Sequence, residues 1–210
     1  MTATPGTAAA STTPATRPSP TVTMLRPIGS SLPLGFLALA VATFSFAVLQ
    51  LGWIPKNQGS TIALAVLIST VPLQALVSVL AFAARDTAPG TAMGLLAGTW
   101  GGICLATLTS KPGAPSEGLG TFLLAAGACL LVPATAALPR IWAPVVIGTS
   151  GVRFILTGVA QLDGSTSWLR VAGWAGLALA LVSFAAALVL VLQRSSVEDV
   201  GEEPGVRRGT

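Results

Sequence analysis

The chain has no histidine and no tyrosine, and only 9% of its 210 residues are charged, where soluble domains carry roughly a quarter. Without histidine, imidazole-based acid–base catalysis and the common zinc-binding sets are excluded. There are two cysteines, Cys104 and Cys129, each inside an apolar run. That placement suits packing residues better than a disulfide framework, although the sequence leaves a bond between them open. No nucleophile stands beside a base and no metal-ligand cluster is visible, so the chain reads as neither an enzyme nor the holder of a cofactor or metal. Its eleven basic residues are scattered instead of gathered in one stretch, which argues against nucleic acid as a partner.

What the chain has in quantity is apolar sequence. Hydrophobic residues make up 52% of it and fall into six runs, each close to the roughly 20 residues that cross a 30 Å hydrocarbon layer. The runs are 32–54, 61–84, 90–109, 119–138, 141–162 and 171–193. They predict an all-α integral membrane protein of six transmembrane helices, occupying residues 30–194 and bounded by lipid. The connections are short and carry Pro, Gly and charge, as at Pro55-Lys56-Asn57, Lys111-Pro112-Gly113 and Pro139-Arg140, leaving no room for a soluble domain. Residues 1–29 are mostly Ala, Thr, Ser and Pro, a composition expected to stay disordered. Residues 195–210 are charged and Gly-containing and predict a second solvated tail. A cleaved signal peptide is not expected, because the first apolar run begins only near Leu32 and is about 22 residues long, more than a signal sequence needs.

The positive charges set an orientation. With the N-terminus inside, Arg17, Arg26, Arg85, Arg140, Arg194, Arg207 and Arg208 fall on the cytoplasmic side, and Lys56, Lys111 and Arg170 on the outer side. This places both termini in the cytoplasm. The remaining basic residue, Arg153, lies inside the fifth run, about twelve residues and roughly 18 Å from its cytoplasmic end. A charge at that depth costs at least about 2.5 kcal/mol and normally faces a cavity or a partner. The nearest acid on its helix, Asp163, is about 15 Å away along the axis. A permeating anion is one candidate partner; snorkelling or backbone carbonyls of a neighbouring helix are the other.

Four further features bear on a passage. Glycines at 90, 94, 98 and 102 form a ridge on the third helix that serves close packing or leaves space for a pore. Pro72, Pro133 and Pro144 each remove a backbone donor and are expected to kink their helices. Gln74, beside Pro72, bonds a neighbouring helix or contacts a solute. Trp53, Trp142 and Trp168 fall at helix ends, as interfacial anchors do; Trp100, near the centre of its helix, lines a passage or packs.

Pro33-Leu34-Gly35, Thr43 and Gly52-Trp53 resemble the opening helix of the acetate uptake transporters, or succinate–acetate permeases, with their N-P-x-P-L-G signature. Further along, Gln74, then Asp86-Thr87 with Thr91-Ala92, then Trp100, and finally Ala172-Gly173-Trp174-x-Gly176 are similar to successive motifs of that family. The resemblance spans about Pro33 to Leu192. It implies a six-helix protomer assembled as a hexamer, with a carboxylate route through each protomer. Departures are equally clear. Ser30-Ser31 replace the signature Asn-Pro, Ala81 replaces a glutamate, and Leu39 and Leu96 stand where the family carries a phenylalanine and a tyrosine. A constriction built from those rings would be wider or less polar here. Arg153 falls where the family's fifth helix supplies apolar residues.

The expected function is therefore a transporter or channel-like permease for small carboxylates, its pathway formed by Leu39, Thr43, Gln74, Leu96, Trp100 and Arg153. Another small solute such as ammonia, or a non-conducting scaffold or sensor, are the competing readings. Alanine- and arginine-rich usage points to a GC-rich bacterium and so to its plasma membrane. The orientation is directly testable: reporters fused to either terminus are expected to be active only in the cytoplasm, and an active extracytoplasmic reporter at either end would overturn it.

Overall fold

The computed structural model describes residues 30–137 and 141–201. Among them the chain forms six α-helices and no strand: α1 Leu32–Gln50, α2 Gly59–Ala83, α3 Thr87–Thr109, α4 Glu117–Ala136, α5 Trp142–Asp163 and α6 Thr166–Gly201, with a 3₁₀ turn at Lys56–Gln58. All six are long and apolar enough to cross a membrane. The expected N-terminal tail, the Pro139-Arg140 connection and residues 202–210 lie outside the described residues, while 195–201 continue α6.

Local chemistry sets the helix ends. The first apolar run extends to residue 54, but α1 stops at Gln50. There Gly52 takes φ 74°, its N–H donating to the Leu49 carbonyl (3.1 Å) and that of Trp53 to Val48 (3.0 Å), which is a Schellman cap. The α2–α3 turn uses the same cap with Arg85 in the left-handed position at φ 58°, a conformation costing a side-chain-bearing residue roughly 1–2 kcal/mol. Pro72 and Pro133 lie inside α2 and α4. Pro144, expected to kink its segment, instead sits in the first turn of α5, where its missing N–H would have had no intrahelical partner.

Each helix packs on the next in sequence, and α6 returns to α1, so the six close a ring in chain order. The most extensive contact is between α4 and α5, and glycine makes it possible. A side-chain carbon at Gly127 would lie 2.7 Å from the Gly151 carbonyl oxygen, and one at Gly151 would lie 2.8 Å from that of Gly127. One level away, Gly120 and Gly158 meet in the same reciprocal way, at 2.9 and 2.8 Å. Two glycines seven residues apart on each helix thus let the backbones touch.

The α3 ridge works mainly as packing. Carbons added at Gly90 and Gly94 would meet the Phe82 ring and Ser78 Oγ of α2, each at 3.0 Å, and one at Gly102 would meet Phe122 of α4 at 2.8 Å. Gly98 has nothing within 4 Å. Two buried hydroxyls tie helices together: Ser78 donates to the Gly90 carbonyl (2.7 Å) and Thr70 to the Ala38 carbonyl (3.1 Å). Outward, Val41, Phe44, Ile68, Val79, Val132 and Leu181 are exposed, as a lipid-facing surface requires.

Gly127→Leu is expected to destabilise the detergent-solubilised protein by about 1–3 kcal/mol, read as a lowered thermal midpoint, whereas Gly98→Leu should change it little. Equal effects at the two positions would contradict the α4–α5 contact.

Candidate functional site

At the end where α1, α3 and α5 finish and α2, α4 and α6 begin, the ring opens into a cavity of about 410 Å³. Lys56 and Lys111 stand in its lining, Gln50 and Gln161 add amides, and Phe46, Ile103, Leu123 and Thr157 supply its inner wall. None of the lining residues is acidic. A concave site with two cations and no acid concentrates anions. The connection between α3 and α4 is held in place by the Ser116 N–H, which donates to Gln161 Oε1 at 2.9 Å. Lys56 lies across Gly113, where a side-chain carbon would come within 2.5 Å of its Cδ.

The cavity's innermost ring belongs to an aromatic group. Phe46 is 5.4 Å from Trp100, centroid to centroid, and Trp100 is 5.7 Å from Phe154 in an edge-on arrangement. Trp100 also meets the guanidinium of Arg153, whose Cζ is 5.2 Å from the ring centroid. A cation over an indole face at this range is held by the ring quadrupole, with about 2 kcal/mol available when both groups are desolvated. Arg153 is 2% exposed, and its Nε and Nη2 make no hydrogen bond. Those two nitrogens face α6: a side-chain carbon at Gly176 would lie 2.7 Å from Nε and 3.2 Å from Nη2. Ala47 of α1 closes the same seam, its Cβ 3.0 Å from that point.

The six residues picked from the sequence, Leu39, Thr43, Gln74, Leu96, Trp100 and Arg153, are all buried inside the ring. Trp100 and Arg153 are in direct contact. Leu39 and Leu96 share the apolar core with Trp100. The rings that meet at this level are Phe46, Trp100 and Phe154, not side chains at 39 and 96. The Thr43 hydroxyl donates to the Leu39 carbonyl of its own helix at 2.7 Å, so it is satisfied without a solute. Gln74 is different: both of its amide atoms are buried without a partner. Leaving such groups unpaired costs about 1–3 kcal/mol each, which a polar solute could offset. From their helix ends, Trp100 lies about 13 Å and Gln74 about 22 Å inward of the cavity mouth, so the two occupy successive levels.

Sequence reasoning missed Phe46, Phe154, Gly176 and the part played by the lysines. Gly176 closes the Ala-Gly-Trp-x-Gly motif, and Lys56 and Lys111 both sit in Pro- and Gly-containing connections on the outer side; nothing local says that they converge.

No family model matches the sequence, and no curated protein matches it. Among solved structures, the bacterial acetate channel SatP superposes with a TM-score of 0.70 at 22% identity, over 80% of this chain and 94% of that one. The chain has the fold of that channel. Its architecture is that of a multi-pass, six-helix membrane protein.

A charge buried this deeply, with two donors unpaired and only an indole face against it, costs more stability than the indole contact returns. Arg153→Met is therefore expected to leave the fold intact and raise the thermal midpoint in detergent; a marked fall would show that the Trp100 contact outweighs the cost of burying the charge.

Proposed function

We propose that the protein is a channel-like permease for small carboxylates, with acetate as the first candidate and succinate as a second. The observation that carries this reading is the order of groups along the ring axis: a cationic cavity, then an aromatic closure, then a buried guanidinium with free donors. The fold shared with an acetate channel supports it. Such a protein needs no covalent chemistry, only a path on which an anion loses less solvation energy than in lipid; it is not an enzyme on this reading. The cavity faces outward if both termini are cytoplasmic, and the bacterial plasma membrane is the proposed location. A hexamer follows from the family resemblance.

Among the described residues Asp86, Glu117 and Asp163 lie at helix ends and Glu198 and Asp199 in the last turn of α6, beyond its apolar span, and the apolar spans between contain no Asp, Glu or His. Coupling to protons through a side chain in the membrane interior is thus disfavoured: the acid carries its own proton, or flux is uncoupled.

Radiolabelled acetate should enter proteoliposomes holding the purified protein faster than protein-free vesicles. Uptake of ammonia with none of a carboxylate panel would redirect the reading to a neutral solute, and no uptake of either would favour a scaffold. Lys56→Gln with Lys111→Gln should slow acetate entry most at low ionic strength, the difference shrinking as the Debye length falls toward about 3 Å at 1 M salt. Asp86→Asn should change the pH dependence of uptake only modestly, and its complete loss would place coupling at that carboxyl.

A further inference from the structure

The proposed function leaves open whether the solute meets the protein as a neutral acid or as an anion, and Arg153 bears on that choice. A guanidinium offers two kinds of paired donors, at its tip and along its side. The side pair, Nε and Nη2, presents two nearly parallel N–H groups whose spacing matches the two oxygens of one carboxylate. In this protein both nitrogens of that side pair are buried and without a partner. The opposite requirement, holding the charge in place, is met by the Trp100 face against the guanidinium at 5.2 Å.

The surroundings bring no hydrogen-bond acceptor to the side pair. It faces Gly176, the residue whose side-chain carbon would lie 2.7 Å from Nε, so any larger residue there would displace the guanidinium or cover its donors. Thr157, one turn from Arg153, gives its hydroxyl proton to the Arg153 carbonyl at 2.9 Å and also lines the outer cavity. Phe46 both lines that cavity and touches Trp100, the ring that the guanidinium faces. Phe154, on the other side of Trp100, is fully buried.

The geometry points to a specific binding site for an ionised carboxylate on the Nε–Nη2 side of Arg153, backed by Trp100, with the small residues Gly176 and Ala47 of the α6–α1 seam parting to admit it. This deepens the permease reading and rests on it for the identity of the ligand. The anion neutralises the one charge in the membrane interior, so binding and burial of the charge stabilise each other. The site selects two-oxygen planar anions over a halide of equal charge, and anions over neutral analogues of the same shape.

The test uses the purified full-length protein, titrated with sodium acetate, sodium chloride and acetamide at constant ionic strength. Thermal midpoint and tryptophan emission are the readouts. For the wild type, acetate should raise the midpoint saturably and change an emission component that is lost in Trp100→Phe, while chloride and acetamide do neither. Arg153→Gln should abolish the response. Arg153→Lys, which keeps the charge but not the paired donors, and Gly176→Ala, which keeps the arginine but fills its cradle, should each weaken acetate binding by at least about tenfold. Should Arg153→Gln not fold, the Gly176→Ala and Arg153→Lys arms decide alone. Unchanged acetate affinity in these variants, or an equal wild-type response to acetamide, would overturn the site. Acetate uptake with the same anion preference in Arg153→Gln would sink the site and spare the permease; acetate binding in the wild type without flux would do the reverse.

Discussion

The stacking of the Arg153 guanidinium on Trp100 is the contact around which the interior is organised. A cation at this depth is tolerable only if something other than water faces it, and the indole does so on one side. The rest of its environment is arranged by subtraction. Gly176 withholds a side chain on α6 and Ala47 presents a small one on α1, so the guanidinium fits a seam between helices that larger residues would fill. The same indole is touched by Phe46 and Phe154, which makes one residue of α3 the meeting point of α1 and α5.

That arrangement depends on the ring holding its diameter. α5 carries Arg153 and Phe154, and its position is set by backbone contact with α4 at two glycine levels, 127 with 151 and 120 with 158. Apolar side chains do not drive helices together in lipid as they do in water, so close backbone approach supplies the attraction. The pairing of the buried Ser78 and Thr70 hydroxyls with carbonyls of α3 and α1 adds direction to the α2 contacts. A tight wall behind α5 and a small-residue seam in front of it together aim the guanidinium inward.

Polarity is graded along the axis. Two lysines stand at the open end, three rings close it, and an unpaired amide at Gln74 lies beyond. In the proposed permease, an anion drawn in by the lysines would exchange water first for amides, then for the guanidinium, and then for the Gln74 amide. Steps of this kind keep each desolvation smaller than a single transfer into hydrocarbon.

Hydropathy alone located six spans and predicted the fold class, because a chain crossing lipid must satisfy its backbone within each helix and must be apolar along its length. The depth of Arg153 was legible for the same reason: a charge stands out where none is affordable. Its proximity to Trp100 was not, since the two are on different helices and periodicity fixes neither helix rotation nor which neighbours meet. The glycines at 120, 127, 151 and 158 were present in the sequence, yet only their facing carbonyls distinguish them from the more conspicuous α3 stripe. Pro144 changed meaning when the start of α5 was known, because the cost of a missing N–H depends on its place in the helix. Composition and spacing thus determined that the chain spans a membrane six times and buries one arginine. The tertiary structure decided which groups that arginine meets, because contacts between helices far apart in sequence follow from close packing that no local pattern encodes.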